Sequence, residues 1–117
     1  MADYRKLEAW RRAHQLALAV YRQTEPFPRA ERYGLTSQLR DAASSVPANI
    51  AEGYGRGTDP ELARFCRISL GSLNELEYYL LLARDLGLLP DAEHGPLQSE
   101  LEIVRRLLSA FVRKLVS

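Results

Sequence analysis

The chain has 117 residues, 46% of them hydrophobic and 26% charged, and its 16 Lys/Arg against 15 Asp/Glu leave a net charge of +1. That length supports one hydrophobic core rather than two, so a single domain over residues 1–117 is expected. The composition excludes a disordered chain, and no apolar run approaches the roughly 18 residues of a membrane span.

The stretch MADYRKLEAW starts charged but is followed by no apolar core or cleavage site, so no signal peptide is expected and cytoplasm is the expected compartment. Leu7, Trp10, His14, Ala17, Tyr21 and Thr24 then recur at helical spacing, with Ala13, Leu16 and Val20 widening the stripe. Asp3 is the expected N-cap, and His14 is expected as a hydrogen-bonded core histidine. Pro26 and Pro28 end this helix, with Phe27 between them as a plug over the bundle end.

The second helix is expected to open near Arg29–Glu31 and to bury Leu35, Leu39, Ala42, Val46 and Ile50. Pro47 removes one backbone donor and should kink it, with Ser44 and Ser45 placed to re-bond the freed carbonyls. Gly53, Gly55 and Gly57 close the segment. In the third helix Asp59 reads as N-cap and Pro60 as the first helical residue. Its buried stripe is Leu62, Phe65/Cys66, Ser69, Leu73, Leu76, Leu80 and Ala83. Gly71 and Ser72 in its middle suggest close approach of a neighbouring backbone, and Gly87 suits a left-handed C-terminal position.

The fourth helix carries Leu97, Leu101, Val104, Leu108, Phe111 and Leu115 in four-three alternation. Two starts are open, one capped by Asp91 and one restarted at Gly95-Pro96. Four such segments with short connections predict an all-α, antiparallel up-down four-helix bundle with a kinked second helix. Tyr78, Tyr79, Leu82 and Leu86 on the third helix and Ile103, Leu107 and Val116 on the fourth exceed the needs of one core. They mark an interface between copies.

Catalytic patterns are missing. The two histidines do not supply the paired Glu-x-x-His motifs of a di-iron bundle. No serine sits in a Gly-x-Ser-x-Gly elbow, and Glu75 and Glu77 point apart on their helix. The glycine-rich 53–57 stretch lacks the Lys-Ser/Thr of a phosphate loop. No cofactor, metal or small-molecule substrate is expected. Cys66, the single cysteine, reads as a buried thiol or as a reactive one.

The charge is unevenly spread, with nine Lys/Arg against six Asp/Glu in residues 1–57 and seven against nine in residues 58–117. Arg11, Arg12, Arg22, Arg29 and Arg32 can face a nucleic acid as rows tracking a phosphate backbone. The other reading is solvated helix faces, with Glu8 bonded to Arg11 or Arg12, Glu61 to Arg64 and Glu102 to Arg105 or Arg106.

Segment 38–53 is unusual for a helix, combining two serines, a kinking proline, a mid-helix asparagine and a terminal Glu-Gly. Gln38, Arg40, Ser45, Pro47, Asn49, Glu52, Gly53 and, just beyond, Arg56 resemble the signature of the 23S rRNA intervening-sequence protein family of four-helix bundles. That family is in turn similar to the accessory proteins of diversity-generating retroelements. Leu7, Trp10, Ala13 and Tyr21, then Phe27-Pro28, Glu31 and Gly34-Leu35, then 71–76, extend the likeness from about Tyr4 to Leu89. The resemblance implies an up-down protomer that assembles into a ring of five, and partners among RNA or nucleoprotein. The retroelement relatives it brings in are strongly basic, whereas this chain is nearly neutral. The eight signature residues then serve either internal bonding or partner binding.

Two functional classes follow. One is a non-catalytic homo-oligomeric adaptor that engages RNA or a nucleoprotein. The other is a protein-only structural or partner-binding module with no nucleic-acid role. An enzyme working through Asn49 and Glu52 is a third and weaker reading.

Overall fold

Small and apolar side chains at three- and four-residue steps put a buried stripe on each of four helices: α1 (Glu8–Thr24), α2 (Leu35–Tyr54), α3 (Asp59–Asp85) and α4 (Asp91–Val116). The computed structural model describes residues 3–117, and among them there is no strand. Each helix packs against two neighbours: α1 against α2 and α4, and α3 against α2 and α4. The diagonal pairs do not meet, as expected of an antiparallel up-down bundle with a square cross-section. At a rise of about 1.5 Å per residue α3 and α4 are each about 40 Å long, which accounts for the 43 Å longest dimension.

The core runs through every helix. Leu16 and Val20, Leu39, Val46 and Ile50, Leu73, Leu76 and Leu80, and Leu101, Val104 and Leu108 are all essentially inaccessible. The expected stripe of α2 is buried throughout. That of α1 is rotated. Ala9, Ala13, Leu16, Ala17, Val20 and Thr24 are buried, whereas Tyr21 and His14 are exposed and Trp10 is half-buried. His14 is therefore not a core histidine; its ring stacks on Trp10 with centroids 5.1 Å apart.

Several ends differ from expectation for local reasons. Asp3 caps a separate 3-10 turn, Tyr4–Lys6, by accepting the Arg5 N–H at 3.0 Å. Arg29–Glu31 is likewise a 3-10 turn, and α2 begins only at Leu35 after Gly34. The cap of α3 is Thr58, whose hydroxyl accepts the Glu61 N–H at 3.4 Å; Asp59 is already inside the helix. α4 starts at Asp91 after Pro90 and runs unbroken through Gly95-Pro96. Gly87 does take the left-handed conformation, with φ of 77°. Phe27 packs partly buried against the core.

α2 also continues through Pro47. The proline deprives the Ala43 carbonyl of its donor, but neither serine replaces it. Ser44 donates to the Asp41 carbonyl at 3.3 Å, and Ser45 Oγ lies 2.8 Å from Ser72 Oγ on α3. Asn49 donates to the Ser45 carbonyl at 2.8 Å and to its hydroxyl at 2.9 Å. Buried Ser69 donates to the Val46 carbonyl at 2.8 Å. The proline region is thus held by α3 as much as by α2.

The glycine that marks close helix approach is Gly53. A Cβ there would lie 2.9 Å from Leu62 Cδ1 and 3.0 Å from Phe65 Cβ, while one on Gly71 would meet nothing within 4 Å.

Candidate nucleic-acid interface

The corner where α1 hands over to α2 is built by chain-breaking residues. Pro26 and Pro28 cannot continue α1, and the exposed last carbonyls of that helix attract Arg40 from α2. The Arg40 guanidinium donates to Thr24 Oγ1 at 2.9 Å and to the Tyr21 carbonyl at 3.2 Å, pairs with Glu25 at 3.2 Å, and lies 4.8 Å from the Tyr21 ring centroid. A cation at a helix C-terminus meets the negative end of the dipole, so Arg40 is fixed and largely neutralised.

Between the helices, the 3-10 turn and the Arg32-Tyr33-Gly34 link border an open groove of about 460 Å³. Its lining includes Tyr21, Phe27, Arg29, Arg32, Tyr33, Thr36, Ser37, Arg40 and Asp41. Tyr33 is 90% exposed. Arg29 and Arg32 are exposed and make no ion pair among the described residues. Thr36 is 8% exposed and its Oγ1 has no hydrogen-bond partner.

The expected arginine row therefore splits. Arg22, Arg29 and Arg32 are available. Arg11 donates to the Lys6 carbonyl at 2.7 Å, closing the N-terminal turn, and Arg12 binds Glu100 on α4 at 3.1 Å. Glu8 pairs with neither, whereas the Glu61–Arg64 and Glu102–Arg105 pairs form. Glu61 is held below the usual carboxylate range, chiefly by its hydrogen bond from Arg64. Sequence periodicity missed Tyr33 and Thr36, because one lies in a turn and the other is a small polar residue at a helix start.

The signature residues are mostly used internally. Pro47 and Gly53 are buried, Ser45 bonds Ser72 on α3, and Asn49 donates to Ser45 within α2. Arg40 pairs with Glu25 rather than Glu52. Glu52 binds Arg56 at 3.2 Å, and Arg56 lies 4.9 Å from the Phe65 ring centroid. Gln38 is exposed. Asn49 and Glu52 do not converge on a histidine: the two histidines sit on α1 and α4.

On α3, Tyr79 and Leu82 lean on the core, while Tyr78 and Leu86 expose 57% and 59% of their surface. Ile68 and Gly71, both exposed, fall on the same side of the helix. Beside them a second groove of about 430 Å³ lies between α3 and α4, lined by Asn74, Glu77, Tyr78, Leu81, His94 and Gln98. Gln98 donates to Glu77 at 2.6 Å and Arg105 donates to it at 2.9 Å, and both hold its carboxyl below the usual range. Arg105 also bonds Glu102 and Asn74, so this polar network stitches α3 to α4. Cys66 is fully buried, and burial pushes its thiol up to about 11, so the open alternative settles on an inert thiol.

Among the described residues no group of three or more His, Cys, Asp or Glu side chains is placed to hold a metal ion, and no helix is long and apolar enough to cross a membrane.

The fold is shared with solved structures. A crystal structure from Bacteroides thetaiotaomicron, described as a protein with unknown function from the S23 ribosomal protein family, superposes with a TM-score of 0.79 at 17% identity, covering 89% of this chain and 97% of that one. No curated protein matches the chain. Residues 5–110 match the sequence pattern of the 23S rRNA-intervening sequence proteins, and the chain belongs to that family.

Proposed function

We propose that the chain is a non-catalytic, cytoplasmic adaptor that assembles into a ring of five copies and engages RNA or a ribonucleoprotein. The observation that carries the reading is the outward side of α3. Ile68, Gly71, Tyr78 and Leu86 stand exposed there beside half-buried Tyr79 and Leu82. A mid-helix glycine with nothing within 4 Å of its missing Cβ costs helix stability without serving the protomer. A neighbouring subunit seated on this face would explain both the glycine and the uncovered tyrosine.

A ring of odd order needs a head-to-tail contact between two different surfaces. The outward side of α1 carries exposed Leu18 and offers a second apolar surface for such a contact. The family's link to ribosomal RNA insertions and the unpaired Arg29 and Arg32 favour RNA as partner. Light scattering on the purified protein tests the assembly. The expected result is five copies for the native chain and a folded monomer for I68E/Y78E; a native monomer would end the reading.

A further inference from the structure

We infer that the groove between the end of α1 and the start of α2 receives one unpaired nucleotide of a single-stranded RNA, its base stacked on Tyr33 and its phosphates held by Arg29 and Arg32. The inference rests on the reading of RNA as partner and names the site that would grip it. Tyr33 is the most exposed aromatic side chain among the described residues, 90% accessible on a turn at the edge of the groove. An amphipathic ring so displayed offers a stacking platform that any base can use.

Arg29 and Arg32 bracket a 3-10 turn, where residues three apart eclipse one another, so both project to the same side. Neither forms an ion pair among the described residues, in contrast to Arg40, whose charge Glu25 offsets across the same groove. Thr36 and Ser37 at the start of α2 also line the groove. The volume of about 460 Å³ falls within the range of roughly 300–1,000 Å³ typical of small-ligand sites.

Asp41 sets polarity. Its carboxylate repels phosphate and accepts from O–H or N–H donors, so the phosphates lie toward the arginines and the ribose 2′-hydroxyl or a base amine lies toward Asp41. That hydroxyl is the group that separates RNA from DNA. A duplex is excluded because its bases are stacked on each other and cannot reach the Tyr33 ring.

Fluorescence anisotropy with a short labelled oligoadenylate tests the assignment, alongside the same DNA sequence and the same RNA annealed to its complement. The native chain should bind the single-stranded RNA best. Tyr33→Ala should weaken it roughly ten-fold and Tyr33→Phe should leave it intact. R29Q/R32Q should flatten the dependence of log affinity on log salt by about 1.4, the share of two phosphates on a single strand. Arg113→Gln, on exposed α4 surface, serves as the charge control. If the native chain binds and the Tyr33 and Arg29/Arg32 variants match Arg113→Gln, the groove is wrong while RNA binding stands. If DNA or duplex binds more tightly than the single-stranded RNA, the assignment falls. If the native chain binds no RNA, the groove and the function it rests on fall together.

Discussion

Gly53 of α2 and Leu62 of α3 touch so closely that a methyl group on the glycine would come within 2.9 Å of Leu62 Cδ1. Phe65 Cβ and Leu62 Cα stand behind it at 3.0 and 3.2 Å, so backbone and branch points resist displacement. Gly53→Ala should therefore cost about 1–3 kcal/mol through overpacking, although alanine is the better helix former. Gly71→Ala makes the same chemical change where there is open space, and should raise protomer stability by about 0.5–1 kcal/mol. Urea denaturation of the two variants should give opposite signs; equal signs would contradict the packing at Gly53.

The hydroxyls around Pro47 are not equivalent. Ser69→Ala removes a buried donor from the Val46 carbonyl and should cost about 0.5–1.5 kcal/mol. Ser44→Ala, which gives up only a 3.3 Å bond to the Asp41 carbonyl at the helix surface, should be neutral or slightly stabilising. Thermal unfolding monitored by circular dichroism separates them.

Arg40 joins α2 to the end of α1 with three kinds of partner at once: a hydroxyl, a carbonyl and a carboxylate. Arg40→Ala should lower stability by about 1–2 kcal/mol, and Arg40→Lys should recover little, since an ammonium cannot reproduce the planar fork. Glu25→Gln should cost much less, because Glu25 is largely exposed. Chemical denaturation of the three variants tests this order.

Cys66 makes stability sensitive to alkali. Its thiol is raised from the ordinary 9.0 to about 11 by burial, so the folded chain holds a proton that the unfolded chain releases. Stability is unaffected below about pH 9 and should decline from there toward pH 11, by roughly 2–3 kcal/mol in all. Cys66→Ala should remove that part of the decline while the part from Tyr54, whose hydroxyl is likewise raised by burial, remains. The native thiol should also resist Ellman's reagent at pH 8; rapid labelling without unfolding would contradict its burial.

Much of this architecture is legible from spacing, because Leu39, Val46, Leu73, Leu101 and Leu108 recur on one side of their helices and have nowhere else to go. α1 is the exception. Large side chains at Trp10, His14 and Tyr21 draw the stripe about a quarter turn from the face that is buried, which is made of Ala9, Ala13 and Ala17 with Leu16 and Val20. Alanine is a weak hydrophobic signal and a strong packing one, since it lets helices approach. The groove at the α1–α2 corner was less legible still: Arg29 and Arg32 stand out as charges, but Tyr33 and Thr36 join them only through the turn geometry. Arg11 and Arg12 look alike in sequence, and only their distant or backbone partners remove them from the row.

The two ends of the protomer are finished differently. At one end Trp10, Tyr4, Tyr54 and Phe111 form, in that order, a chain of ring contacts, with centroids 5.1, 6.4 and 6.5 Å apart, that seals the helices. The other end carries the uncovered Tyr33 and its arginines. Under a rotation axis roughly parallel to the helices, all copies of Tyr33 would crown a single rim while every aromatic seal faced the opposite way. Feeble attachments on such a crown combine through raised local concentration. A nearly neutral subunit could in that way hold a long flexible strand that it would release as an isolated copy.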